Sequence, residues 1–276
     1  ALEAAPADAP THNNLADIRR RQGRLAEAVA LFRRASVLAP TVAEIQANLG
    51  GLLLAMHHPA DALPCLDRAL ALNPRLTSAH ADAATALCAM NRYNEAPEHY
   101  RAIWRLEPSN NSARYMEALA LLALGDFTNG WRKHESRWYA ELGASHRTHL
   151  EQPSWLGEAD VAGRTILLHA EQGQGDTCQF VRYAPMVAAL GARVLLLVQK
   201  SLVPLLDGME GIDRVIGYGG TTPDCDMQCS LMSLPRAFRT EIDTVPAKVP
   251  YLRAPPDRIS QWTERLGPRD GRRRIA

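Results

Sequence analysis

Small and apolar residues recur along the first half of the chain at a spacing of 34 positions. The positions that share this register are Pro6, Pro40, Pro74 and Pro108; Ala28, Ala62, Ala96 and Gly130; Phe32, Leu66 and Tyr100; and Leu15, Leu49 and Ala83. The pattern predicts pairs of helices, each pair closed by a proline, because proline lacks an N–H donor and clashes with the preceding helical turn. One pair cannot bury its apolar face alone, so we expect stacked pairs that share a core.

This register, with small residues at fixed places and a closing proline, resembles the tetratricopeptide repeat. The resemblance implies two antiparallel helices in each repeat and a right-handed superhelix whose groove is lined by the first helix of each pair. We count three full repeats over residues 9–108 and a fourth that starts at Asn111 and then diverges. We therefore expect helices, and no strand, from residue 10 through Gly125.

Asn14, Asn48 and Asp82 occupy one shared place in the first helices of the three repeats. Repeated amide side chains along a groove can hydrogen-bond the backbone of a peptide without reading its sequence, so these three are candidate peptide-binding residues. They resemble the asparagine ladder in the repeats of O-linked N-acetylglucosamine transferase, although Met116 breaks the series in the fourth repeat. The alternative is that Asn and Asp simply suit a solvated helix face.

The fourth repeat diverges into the segment GWRKHESRWY. Trp131 and Trp138 are seven positions apart, so we expect them to share a helix face with Glu135 between them. Tryptophans among basic residues can also indicate nucleic-acid binding, but the end of a solenoid needs a specialised face. We therefore expect a capping helix that docks on the next domain, followed by a linker over residues 141–154.

Beyond residue 155, short apolar runs alternate with helical patterns. The apolar runs that predict strands lie at residues 165–170, 193–199, 213–218 and 226–231, and helical patterns lie at residues 178–190, 201–209, 233–239 and 255–266. Strands that alternate with helices favour right-handed crossovers and a parallel sheet. The predicted fold class is thus an α-solenoid followed by a parallel-sheet α/β domain.

A polar loop with two glycines, residues 171–177, follows the first predicted strand. Ligands of open α/β sheets bind at the carboxyl ends of strands, and Gly173 and Gly175 would let the backbone approach a ligand by adopting positive φ. The loop lacks the lysine of a phosphate-binding P-loop and one of the three glycines of a dinucleotide fingerprint. The alternative is a tight strand-to-helix turn with Asp176 or Thr177 as the N-cap.

Composition narrows the classes of partner. A net charge of +1 gives no reason to expect nucleic acid or an acidic membrane surface, and the apolar runs are too short to cross a bilayer. Five scattered cysteines argue against a disulfide framework and for a reducing compartment, so we expect a cytoplasmic protein. Cys225 and Cys229 lack nearby metal ligands, so we expect buried strand cysteines, with no metal and no cofactor.

The segment EQGQGDTCQFVRYAP, with WLG before it and SLPRAF and VPYL after it, resembles bacterial proteins that fuse tetratricopeptide repeats to a heptosyltransferase-like glycosyltransferase domain. The resemblance implies that residues 155–270 form a Rossmann-like domain, the N-terminal half of a GT-B fold. In that family, the aspartate matching Asp176 is the base that deprotonates the acceptor hydroxyl. The resemblance also implies that the ligand site is lined by Gly173, Gln174, Gly175 and Thr177.

GT-B enzymes hold the nucleotide-sugar mainly in their second half. We expect the chain to be a fragment that opens inside a repeat and stops where a second half starts, at residues 271–276. Nucleotide-sugar would then bind only with that second half, and the fragment itself would be inactive.

Two functions remain open for the expected organisation, which is repeats with a cap over residues 1–140, the linker, and the α/β domain from residue 155. In the first, a glycosyltransferase uses its repeats to hold a protein or peptide partner, and the α/β half supplies the acceptor side of the sugar-transfer site. In the second, a non-catalytic scaffold mediates protein–protein interactions through the repeats. The two differ in whether Asp176 does more than cap a helix.

Overall fold

The computed structural model describes residues 8–140, 151–221 and 223–267. The chain divides into two compact units, Ala1–Ser145 and His146–Ala276, which we call the repeat unit and the α/β unit. Pro6, residues 141–150 of the expected linker and the expected start of a second half at residues 271–276 lie outside the described residues.

The repeat unit is a series of antiparallel helix pairs in which each helix packs on the next. The helices are α1 (Ala9–Arg21), α2 (Leu25–Leu38), α3 (Ala43–Ala55), α4 (Pro59–Leu72), α5 (Thr77–Ala89), α6 (Ala96–Leu106), α7 (Asn111–Ala123) and α8 (Phe127–His134). Residues 10–125, all described, contain no strand. The prediction of helical repeats is therefore confirmed.

Small register residues lie where the two helices of a repeat approach each other. Ala28, Ala62 and Ala96 are fully buried, next to the buried register residues Phe32 and Leu66. In the second repeat the approach is closer still, because a Cβ added to Gly50 would lie 2.6 Å from Leu66 Cγ. The 34-residue spacing of small residues thus marks the positions where the two helices of each repeat pack against each other.

The α/β unit contains one four-stranded parallel sheet with the order β3-β2-β1-β4. Its strands are β1 (Thr165–His169), β2 (Arg193–Val198), β3 (Arg214–Gly217) and β4 (Met227–Ser230). Its helices are α9 (Gln174–Phe180), α10 (Ala184–Ala189), α11 (Val203–Leu206), α12 (Leu234–Ala237) and α13 (Pro256–Leu266). The predicted strands and the predicted parallel sheet are confirmed, with each strand one or two residues shorter than its apolar run.

The two central strands of this sheet are buried along almost their whole length. Leu167 on β1 pairs with Leu195 on β2 and with Gln228 on β4, and both leucines are fully buried. Continuous apolar runs are typical of parallel strands that are covered on both faces. The apolar pattern therefore located β1 and β2 without any alternation of polar residues.

Candidate functional site

Four polar residues and one glycine of the first three repeats form a strip across α1, α3 and α5, which we call the ladder face: Asn13, Asn14, Asn48, Gly51 and Asp82. Asn14 and Asn48 are exposed. Asn48 Nδ2 donates to Asn13 Oδ1 at 3.1 Å and so links α3 to α1, while Asn13 Nδ2 lies 3.5 Å from Asn14 Oδ1. Sequence reasoning missed Asn13, although its place beside Asn14 on the same helix was an available signal.

Asp82 lies on α5 against the backbone of α3. A Cβ added to Gly51 would lie 2.8 Å from Asp82 Oδ2, so the missing side chain makes room for the carboxylate. Asp82 is half-buried, and burial raises the pKa of its carboxyl group. Within the described residues its carboxylate has no hydrogen bond and no ion pair. Met116, at the same place in α7, packs against the repeat core, so the ladder face ends at α5.

Glu117 on α7 stands at a register position that is apolar in the earlier repeats, yet it is fully buried. Its carboxylate accepts hydrogen bonds from Arg101 Nε at 2.9 Å and Trp104 Nε1 at 3.3 Å. Lys133 Nζ completes the cluster at 2.5 Å. The cluster joins α6, α7 and α8, so we assign it a structural role. Sequence reasoning missed it, although the register marks Glu117 as an inward position.

The capping segment changes its helical geometry in the middle. Helix α8 ends at His134, and a 3-10 turn, Glu135–Tyr139, follows. The expected common helix face of Trp131 and Trp138 is therefore wrong, because a tighter turn rotates the second tryptophan relative to α8. His134 takes the register position of Phe32, is buried, and has its pKa lowered to about 3, mainly by burial. It is therefore neutral in the folded protein.

The loop after β1 is shorter than expected because α9 already begins at Gln174. Gly173 is the N-cap, and its N–H donates to Asp176 Oδ2 at 3.1 Å. In the alternative of a tight turn, the assignment of Asp176 or Thr177 as the N-cap is thus wrong, whereas the predicted place of Asp176 in the first helical turn is confirmed. Gly173 has a φ of −66°, and Gly175 is helical. Positive φ at these two glycines was also a wrong expectation, since this helix entry needs none.

The residues predicted to bind a ligand in this loop differ in exposure. Gly173, Gln174 and Gly175 are exposed, and Asp176 is half-buried. Asp176 Oδ1 accepts no hydrogen bond from any described residue. Thr177 is buried, and its Oγ1 donates to Gln199 Oε1 at 2.9 Å, so this hydroxyl is held inside the unit.

The strand order reverses between β1 and β4, since β2 and β3 both lie on the other side of β1. Across this junction His169 Nε2 lies 2.8 Å from Gln228 Oε1. Helix α9 packs against the turn Leu231–Ser233, which follows β4. Open parallel sheets bind ligands where the strand order reverses. The loops after β1 and β4, with Asp176, are therefore a candidate site.

A cavity of about 430 Å³ lies elsewhere in the α/β unit. Its lining includes Arg182, Leu205, Lys248 and Tyr251, but none of residues 173–177. Arg182 Nη2 donates to Tyr251 Oη at 2.9 Å and thereby joins the two sides of the cavity. Sequence reasoning missed this cavity because these two residues are 69 positions apart.

All five cysteines are free, and two of them lie in or beside β4. Cys229 is buried in β4, as expected, whereas Cys225 precedes the strand and is only half-buried. Among the residues that the structure describes, no group of His, Cys, Asp and Glu side chains is arranged to hold a metal ion.

Comparison with known families decides what the repeat unit is. Residues 7–75 and residues 81–142 each match a family described as Tetratricopeptide repeat. Residues 7–142 contain tetratricopeptide repeats. The second match spans α7 and α8, so the tetratricopeptide repeats include the divergent fourth unit with its buried Glu117 and His134.

Several solved tetratricopeptide repeat structures are similar to this chain. A crystal structure of MamA is 23% identical with a TM-score of 0.47, covering 49% of this chain and 79% of that chain. MamA from Desulfovibrio magneticus RS-1 is 20% identical with a TM-score of 0.45, covering 46% and 72% respectively. The first such domain of Spaghetti (RPAP3), bound to the HSP90 peptide SRMEEVD, is 23% identical with a TM-score of 0.40, covering 42% and 94%.

A comparison with curated proteins and a search of the helices for membrane spans both gave negative results. No curated protein matches this chain. None of the helices in the described ranges combines the length and the apolar character needed to cross a membrane.

Proposed function

We propose that the tetratricopeptide repeats bind an extended peptide segment of a protein partner along the ladder face. The observation that carries this proposal is the hydrogen bond from Asn48 to Asn13, which joins two successive first helices through their polar side chains. Asp82 extends the same strip to α5 by lying against Gly51. An amide side chain can donate to and accept from a peptide backbone at once, so the strip offers contacts that do not depend on peptide sequence.

Titration of the protein with a library of extended peptides tests this proposal. The variant carries Asn14→Ala, Asn48→Ala and Asp82→Ala. The matched control carries three alanines at the exposed second-helix residues Arg33, Arg34 and Asp67. We expect the first variant to lose at least tenfold in affinity, since two or three lost hydrogen bonds are together worth about 1–3 kcal/mol. Equal loss in both variants would mean that Asn and Asp merely solvate the helix face.

We also propose a second function, the acceptor side of a sugar-transfer site, for the α/β unit. Its support is the position of Asp176 in the first turn of α9, next to the loop after β1 and the reversal of strand order. One carboxylate oxygen accepts from Gly173 N, and the other has no donor among the described residues. A carboxylate held in this way has an oxygen with which to take a proton from an acceptor hydroxyl.

The change Asp176→Asn separates catalysis from helix capping. The amide oxygen of asparagine can still accept the hydrogen bond from the Gly173 N–H that Asp176 accepts, so we expect the melting temperature to be almost unchanged. As the loss of a general base, the same change should slow transfer by about 10²-fold or more. The assay incubates the full-length protein with a panel of nucleotide-sugars and its bound peptide, and mass spectrometry detects the added sugar. If a folded Asp176→Asn protein transferred sugar at the full rate, Asp176 would not be the general base, and the scaffold function would be favoured.

A further inference from the structure

Asp82 is unusual among the acidic residues of the repeat unit. Other described carboxylates there are exposed to water, such as Glu44 and Asp67, paired with cations, as Asp17 is with Arg20 at 2.6 Å, or hydrogen-bonded as helix N-caps, as Asp8 and Asp126 are. Glu117, which is fully buried, has two cations and an indole N–H as partners. Asp82 is half-buried and has none of these partners within the described residues. Its charge is therefore partly removed from water without compensation.

The surroundings of Asp82 leave space on the ladder face. On α3 the nearest position is Gly51, which has no side chain. On α5 the neighbouring Thr85 hydroxyl donates to the carbonyl of Ala81 at 2.8 Å, so it is turned toward its own helix. On α1, Arg20 and Arg21 both pair with Asp17. No described side chain of the repeats is thus placed to neutralise Asp82.

A cation supplied by a bound segment would complete this arrangement. A half-desolvated carboxylate gains more from a charged hydrogen bond than an exposed one does, because less water competes for it. An acidic side chain at the same place would add repulsion to an existing desolvation cost. The chemistry of the ladder face therefore distinguishes basic from acidic peptides at the position opposite Asp82.

We propose that the bound segment carries a lysine or arginine whose cationic group pairs with Asp82, while Asn14 and Asn48 hold the flanking backbone. This inference rests on the proposed peptide-binding function and adds its specificity. Asp82 is then the specificity-determining residue, and the two asparagines supply affinity that is independent of sequence.

To test this, peptides are selected from a randomised nine-residue library by binding to the intact protein. The selected peptides are then resynthesised with each lysine or arginine changed to norleucine. We expect enrichment of basic residues at one position. Norleucine there should weaken binding about tenfold to a hundredfold, the range of a hydrogen bond to a charged group. Asp82→Asn should weaken the basic peptide by a similar factor and abolish the difference between lysine and norleucine. Asp82→Lys should favour glutamate instead.

The outcomes separate this inference from the function beneath it. Peptides that bind without basic enrichment, and that still depend on Asn14 and Asn48, would overturn the role of Asp82 and leave the peptide-binding function standing. Peptides that bind equally well after both asparagines are changed to alanine would overturn the ladder face itself. A library from which no peptide is retained would overturn both. Circular dichroism of Asp82→Asn, an isosteric change, confirms that the repeats remain folded.

Discussion

The repeat unit and the α/β unit differ in whether equivalent structural positions recur along the sequence. In the repeats a position such as that of Phe32 occurs four times, so His134 stands out as a departure from a known pattern. In the α/β unit Gly157 or Asp176 occurs once, and only its local neighbours give it meaning. Departures from a repeat therefore indicate specialised residues, whereas single residues of an open sheet need the three-dimensional structure before their roles can be assigned.

The largest loss of stability is expected for Gly157→Ala in the α/β unit, and Gly50→Ala in the repeat unit serves as its comparison. Gly157 has a φ of +94°, and a Cβ there would lie 2.2 Å from the carbonyl oxygen of Ala237. Gly157→Ala should therefore cost on the order of 4 kcal/mol, since backbone strain and overpacking each cost about 1–3 kcal/mol. Gly50→Ala should cost about 1 kcal/mol, because the clash with the Leu66 side chain is partly offset by the better helix propensity of alanine.

Hydrogen exchange resolves the two units in one experiment. Protection of the β1 amides measures the effect of Gly157→Ala, and protection of the α3 amides measures that of Gly50→Ala. Equal losses at the two sites would contradict the distinction between a clash with backbone and a clash with a side chain.

The buried cluster at Glu117 gives the next largest effect. Glu117→Ala should lower the free energy of unfolding of the repeat unit by about 3 kcal/mol, because it leaves the partly buried Arg101 and Lys133 without their carboxylate. Glu117→Leu leaves the same two cations unpaired but restores the apolar residue of the earlier repeats, so it should cost less than alanine because it refills the volume that alanine leaves empty. Urea unfolding followed by circular dichroism compares the two. If leucine proves as costly as alanine, the register does not describe this position.

A pH-dependent effect is expected at His134. Its pKa is about 3 in the folded protein, against about 6.5 when unfolded. Below pH 6.5 the unfolded state takes up a proton that the folded state does not, so stability falls as pH falls. The ring of His134 faces Tyr115 and Trp131, and its Nδ1 lies 3.2 Å from Arg137 Nη1.

His134→Phe restores the aromatic register residue and removes this dependence. The free energy of unfolding of the variant, relative to wild type, should rise by about 2.5 kcal/mol between pH 6 and pH 4. The exposed His58→Gln is the control and should show no such change. A constant difference between His134→Phe and wild type across this range would show that His134 is protonated in the folded state.

Repetition explains why the helices of the repeat unit could be predicted from the sequence. Proline spacing and the small residues at Ala28, Ala62 and Ala96 report helix packing directly. Glu117 was not predicted as buried because its three partners come from α6 and α8, and charge alone favours the surface. The break between α8 and the 3-10 turn was also not predicted, since a seven-residue spacing does not distinguish a continuous helix from a tightened one.

In the α/β unit, apolar runs were sufficient for the strands but not for the loop after β1. Gly173 caps α9 through its backbone, with Asp176 in a supporting role, and residue preferences favour the opposite assignment. The order of the strands, and hence the reversal beside β1, depends on pairings between distant segments. Likewise, the position of Asp82 over Gly51 depends on the contact between α3 and α5, which no local pattern reveals.

The most direct test of the central claim, that the ladder face of the repeats is the binding surface, is hydrogen exchange of the intact protein with and without a saturating selected peptide. The account predicts slower exchange in α1, α3 and α5, around Asn14, Asn48 and Asp82, with little change in α2, α4 and α6. Protection confined to α2, α4 and α6, or to the α/β unit, would contradict it.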